Sequence, residues 1–150
     1  MIVEGSYTFP GPREVVWNLL LDPEVLAMTM PGATSITRVN DARYEGKMGV
    51  GIGPITAAEF DVVITMTDKV EPASYSMQIE GRGRFGFTRG SAAVTLTADG
   101  ASTLMHYHAD LMVGGKIAAV GQRLLDSVSR MMLKQGLAAM RAELDRRLAR

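Results

Sequence analysis

Between Ala33 and Val113 apolar residues recur at every second position, and after Gly114 at every third or fourth. Side chains alternate between the two faces of a strand but share one face of a helix at i, i+3 and i+4, so the change of period predicts a region of strands followed by one long helix. The clearest strand is "EFDVVITMT", in which Phe60, Val62, Ile64 and Met66 alternate with Glu59, Asp61, Val63 and Thr65. The same alternation groups Tyr44, Met48 and Val50; Tyr75, Met77 and Ile79; Ala92, Val94 and Leu96; and Met105, Tyr107, Ala109 and Leu111. Turn signals at Asn40-Asp41, Gly53-Pro54, Glu71-Pro72, the Gly81 to Gly90 segment and Asp99-Gly100 separate these runs, which describes an antiparallel meander.

Upstream, "IVEGSYTF" reads as a first strand that Pro10, Gly11 and Pro12 stop. "PREVVWNLLL" then reads as a helix with proline in its first turn and Val16, Leu19 and Leu20 on one face. Asp22-Pro23 ends it and opens a second short helix, with Asp22 as the N-cap, and Pro31-Gly32 breaks the chain again. After Gly114 there is no proline, and Ile117, Val120, Gly121, Leu124, Val128, Met131 and Met132 form a stripe that extends into "LAAMRAELDRRLAR". A sheet that is dry on one face must have that face covered, and the long helix is the element whose apolar stripe is expected to cover it. The expected fold is α+β, with a curved antiparallel sheet of about seven strands gripping the C-terminal helix and two short helices after strand 1. Residues 1–150 are read as one domain, since no repeat, linker or low-complexity segment divides them.

Charge narrows the partners. Sixteen basic residues balance sixteen acidic ones, so the net field offers no long-range attraction to nucleic acid, and none is expected as a partner. The absence of cysteine excludes disulfides, thiolate nucleophiles and Cys-ligated zinc. "MIVEGSYTF" lacks the basic and apolar regions of a signal peptide, and no apolar run reaches the ~18 residues of a membrane span, so a cytoplasmic location is expected.

"DPEVLAMTMPGATSI", "GVGIGPITAAEF", "EGRGRFGFTRGSAAVTL" and "ADLMVGGKIAAVGQRLLD" resemble, in order and spacing, the carbon monoxide dehydrogenase CoxG family, within the START-like (SRPBCC) superfamily of helix-grip folds. The resemblance spans nearly the whole chain. It implies a cavity between sheet and helix that holds an apolar molecule such as a lipid or quinone, an accessory role beside a molybdenum-containing dehydrogenase, and peripheral membrane contact. Members often carry a further C-terminal tail with a membrane-associating segment, whereas this sequence ends at "DRRLAR", so self-anchoring is not expected.

Gly81-x-Gly83-x-x-Gly86 spells a dinucleotide fingerprint, but such a site needs the glycines to lead into a helix, and the "SAAVTLT" that follows has the period of a strand. A glycine-rich hairpin is expected instead, with Arg82, Arg84 and Arg89 solvated or placed at a cavity mouth. His106, His108 and Asp110 share a strand face, a spacing that suits a metal, yet that face lies opposite Met105, Tyr107 and Ala109; no metal site is expected. Eleven methionines fit either a pliable core or a wall that reshapes around a ligand. Gly121 and Gly136 are read as lying within the long helix, either at close approaches or merely tolerated.

Inner-face alternation together with the resemblance nominates Tyr44, Met48, Phe60, Val62, Ile64 and Met66 as ligand contacts, with Tyr75, Met77, Ile79, Val94, Leu96, Met105 and Tyr107. The helix adds Val120, Leu124, Val128 and Met131. No catalytic set and no cofactor are expected. The leading function is non-enzymatic binding of an apolar or amphipathic molecule. The alternatives are a cyclase- or hydrolase-type enzyme that uses Tyr107 with an ionisable neighbour, and an adaptor whose long helix docks a partner.

Overall fold

The computed structural model describes every residue except 31, 34 and 150, and the side chains of 56 and 57 are likewise left aside. The break expected at Pro31-Gly32 therefore lies partly outside the described residues. Strand β1 (Ile2–Phe9) is followed by helices α1 (Arg13–Leu21) and α2 (Pro23–Thr29). Six strands come next: β2 (Ser35–Asn40), β3 (Arg43–Ile52), β4 (Ile55–Val70), β5 (Ser74–Gly83), β6 (Gly86–Asp99) and β7 (Ser102–Gly114). Helix α3 (Gln122–Leu148) closes the chain.

The strands form one seven-stranded sheet in the order β1-β7-β6-β5-β4-β3-β2, with neighbours antiparallel. Its register groups the side chains as the alternation predicts. Tyr44, Ile64, Ile79 and Gly90 stand in line across β3 to β6, and Leu96, Met105 and Tyr7 across β6, β7 and β1. Register shifts near Arg38, Val50 and Thr67, with Asp68 at φ 51°, bend the strands so that the apolar face is concave.

Two helical features depart from the sequence reading. The chain after β7 does not run straight into the long helix. A short 3-10 turn at Ala118–Val120 comes first, and Gly121, at φ 98°, is the N-cap residue of α3. Gly121 thus redirects the chain between two helical segments, a left-handed position suited to glycine, and is not an interior helix residue. Secondly, the long helix does not cover the sheet alone. Val16, Trp17, Leu19 and Leu20 of α1 are all buried, α1 packs on β6 and β7, and the Trp17 ring stands edge-on to Tyr75 at 5.6 Å. The periodicity of α1 marks its buried face, but nine residues offer a short apolar stripe beside that of the long helix. One indole supplies much of the missing area.

α3 lies against α1, α2, β1 and β3. Near its end, Arg147 donates to the Asp22 carboxylate at 2.7 Å and to Glu143 at 3.2 Å, which ties the helix to the α1–α2 corner. Beside this clasp Leu144 is fully buried, and Thr103 of β7 donates its hydroxyl to the buried Gly11 carbonyl at 2.7 Å. Gly136 is buried where α3 meets α2, and a Cβ there would come within 2.9 Å of the Thr29 carbonyl oxygen. The close-approach reading of Gly136 is the one the packing supports.

Candidate functional site

Between β1 and α3 opens a cleft of about 800 Å³. The sheet contributes Val3, Tyr7 and Tyr107 from its concave face. The helix contributes Ser129, Leu133 and Leu137, spaced four apart and so stacked along one side of α3. Charged groups surround this floor: Glu4 on the strand, and Asp126, Arg130 and Lys134 on the helix. An apolar floor with phenol hydroxyls and a rim of both charge signs suits an amphipathic molecule.

Gly5 shapes the floor. A side chain at that position would meet the Tyr107 hydroxyl at 2.5 Å and its ring carbon Cζ at 2.9 Å, so the phenol lies across the bare backbone of β1. Tyr7 is fixed from the other side by an edge-on contact with Phe9 at 4.8 Å. The two tyrosines of the cleft are therefore held by a missing side chain and by an aromatic neighbour.

The residues expected to line a hollow fall into several places. Tyr107 borders the main cleft. Met48 and Phe60 border a smaller one of about 330 Å³ beside Gly32 and Gly83, and Ile79 a further recess with Leu111 and Met112. Tyr44, Val62, Ile64, Met66, Tyr75, Val94, Leu96 and Met105 are buried in the core, while Met77, Val120, Leu124 and Val128 pack against it partly exposed. Met131, placed by the stripe on the covered side of the helix, is instead 51% exposed. With the true helix start at Gln122 and the face set by Leu125, Gly136 and Leu144, position 131 turns to solvent. The cleft residues that alternation alone does not single out are Val3, Tyr7, Leu133 and Leu137. Their signals are the period of "IVEGSYTF" and the four-residue spacing of the two leucines.

Two buried phenols belong to the core. Tyr44 donates to the Leu21 carbonyl at 2.6 Å, and burial raises its pKa above the ordinary phenol value. Burial raises Tyr75 further, with the field of Tyr44 adding to it. Both remain neutral hydrogen-bonding groups at physiological pH.

The glycine and histidine motifs of the sequence find their places in the sheet. Gly83 and Gly86 flank a hairpin turn from β5 into β6, so a strand and not a helix follows the glycines. His106 and His108 are exposed on the convex face, opposite Ser6 and Glu4, with His108 Nε2 3.6 Å from Glu4 Oε2. Among the described residues no group of three His, Cys, Asp or Glu side chains is placed to hold a metal ion.

The fold has solved relatives. A conserved protein from Geobacillus kaustophilus superposes with a TM-score of 0.90 at 28% identity, covering 97% of this chain and 96% of its own. A START superfamily protein from Mycobacterium smegmatis superposes at 0.71 with 14% identity, covering 97% of each chain. The Zhui aromatase/cyclase from a Streptomyces species superposes at 0.69 with 17% identity, covering 99% of this chain and 95% of its own. No curated protein sequence is a significant match. The architecture is therefore the START-like helix-grip fold. The family model for the carbon monoxide dehydrogenase protein CoxG matches residues 5–145, and the chain belongs to that family.

Proposed function

We propose that the protein is a non-enzymatic carrier of an apolar or amphipathic small molecule, a lipid or a quinone, held between β1 and α3. The observation that carries this reading is the cleft of about 800 Å³ with Tyr7, Tyr107, Leu133 and Leu137 at its floor. Burying a ligand's apolar surface there supplies affinity of about 25 cal/mol per Å², and the phenols give a polar head a hydrogen-bonding orientation. Charged groups at the rim discriminate little among apolar tails, which suits a carrier better than a selective catalyst. The description of the family supports an accessory role beside a molybdenum-containing carbon monoxide dehydrogenase-type enzyme in the cytoplasm. Among the described residues no helix is long and apolar enough to cross a membrane.

The test is organic extraction of protein purified without detergent, followed by mass spectrometry, alongside uptake of an added quinone and a fluorescent fatty acid. Bound lipid or quinone, with uptake abolished by Leu133→Arg in a protein that still folds, is the expected result. No extractable ligand together with no uptake would overturn the carrier reading. Co-purification with dehydrogenase subunits that persists in Leu133→Arg would favour the adaptor reading instead.

A further inference from the structure

At the end of the sheet where β5 turns into β6, a recess of about 530 Å³ is ringed by Arg82, Arg84, Arg89 and Lys116, with Glu80 as its acidic member. The four cationic side chains are exposed. None of them enters an ion pair among the described residues. Asp61 stands across from Arg82 in the register but lies 3.8 Å from Lys47. At the opposite end of the sheet, by contrast, Arg38 pairs with Asp41 at 3.0 Å and Arg43 with Glu45 at 2.8 Å. The balanced net charge thus conceals a local excess of positive charge.

The guanidinium groups have a defined setting. Arg84 lies 5.9 Å from the centre of the Phe85 ring and Arg89 5.5 Å from that of Phe87. Contact with a ring face positions a guanidinium without consuming its in-plane N–H donors. Arg89 directs one of these at the Met112 sulfur, 3.6 Å away, a weak acceptor that an anion readily replaces. Gly83, Gly86 and Gly115 contribute backbone alone to the lining. The Ile117 N–H donates to the Phe85 carbonyl at 2.8 Å, which holds the Lys116 segment against the hairpin tip.

We propose that this recess binds a phosphoryl anion, either the headgroup phosphate of an anionic phospholipid or a free phosphate ester. Paired forks on Arg84 and Arg89 match the tetrahedral oxygens of phosphate, and Lys116 adds a point charge. The site is separate from the cleft between β1 and α3, and its existence does not depend on what that cleft carries.

The experiment titrates the full chain with inorganic phosphate, pyrophosphate and citrate, following the amide resonances of Gly83, Gly86 and Gly115. In parallel it measures co-sedimentation with phosphatidylglycerol and with phosphatidylcholine vesicles. The variant is Arg84→Gln with Arg89→Gln, checked for folding by circular dichroism; Arg43→Gln is the control. The expected result is binding of a phosphate species or of phosphatidylglycerol vesicles that weakens about tenfold in the double variant and is unchanged in the control. Free anions binding without vesicles identifies a soluble ester, and vesicle binding displaced by pyrophosphate identifies a headgroup. Absence of binding to every probe, equal binding by the double variant, or citrate binding as tightly as pyrophosphate would overturn the proposal.

Discussion

Replacing Gly136 by alanine should destabilise this protein, although the same exchange in an exposed helix is stabilising. The helix term is favourable by about 1 kcal/mol, since glycine gives up more backbone freedom than alanine on becoming helical. The packing term opposes it. The new methyl would sit 2.9 Å from the Thr29 carbonyl oxygen and 3.6 Å from the Thr29 Cβ. The oxygen is backbone near the end of α2 and cannot rotate aside; Thr29 further braces that turn by donating its hydroxyl to the Leu26 carbonyl at 2.9 Å. α2 and α3 must therefore part by about half an ångström, and overpacking of this kind costs about 1–3 kcal/mol. The net expectation is a loss of about 1 kcal/mol, seen as a Tm lower by about 2–4 °C in a domain of this size. Gly136→Leu should lose about 3 kcal/mol. The exposed neighbour calibrates the helix term, since Gln135→Gly should cost about 1 kcal/mol with no packing component. Urea denaturation of the three variants reads all of these numbers. A Gly136→Ala protein more stable than the parent would refute the argument, since it would mean that the helices are not locked at this crossing.

Other outcomes follow from single contacts. Thr103→Val keeps the shape but strands the buried Gly11 carbonyl, and should cost about 1–3 kcal/mol in urea denaturation; an unchanged midpoint would show that carbonyl to be satisfied otherwise. Burial raises the Asp22 carboxyl, but the hydrogen bond from Arg147 and that from the Glu24 amide outweigh it and hold the group below its ordinary 3.8. Glu143 is held below 4.5 by its hydrogen bonds from Arg146 and then Arg147. The folded state therefore binds fewer protons than the unfolded one below about pH 4.5, so this stabilisation is full above that value and disappears as pH falls through the lowered values. Arg147→Met should flatten the fall in denaturation midpoint in that range, and an unchanged pH dependence would refute the assignment. Gly5→Ala should push the Tyr107 ring from its bed on β1 into the cleft, so that quinone uptake weakens about tenfold while circular dichroism is unaltered; unaltered uptake would remove Tyr107 from the floor.

The strand faces are legible because period-2 patterning acts on every residue of a half-buried sheet, and one misplaced step would expose all of Phe60, Val62, Ile64 and Met66. Asp22 is legible as a cap because its chemistry is local: its carboxylate accepts from the Glu24 amide two residues on, at 2.9 Å. The beginning of the long helix is less so. Ile117 and Val120 keep a helical spacing across a 3-10 turn, and periodicity cannot register that Gly121 swings to φ 98° between the two segments. Met131 falls on the wrong face for the same reason, since a stripe continued through that break loses its phase. The site residues are the least legible, because lining a space requires both belonging to the concave face and lacking a partner across it. Patterning reports the first condition alone.

That second condition explains why the cleft opens where it does. α1 enters directly after β1 and lays Trp17 against Tyr75, which fills the part of the concave face that a long helix alone would leave empty. α3 is then clasped to the α1–α2 corner through Arg147 and Asp22, and pressed on α2 at Gly136. With one end of the helix fixed by charge and its middle by the glycine crossing, the stretch from Asp126 to Leu137 is carried over β1, where Gly5 offers no side chain to meet it. Tyr107 occupies part of the gap, and the remainder is open space. The volume of the site is thus set by residues outside it, so substitutions at Trp17 or Gly136 should alter ligand capacity as well as stability, whereas a self-contained pocket would respond to its lining alone.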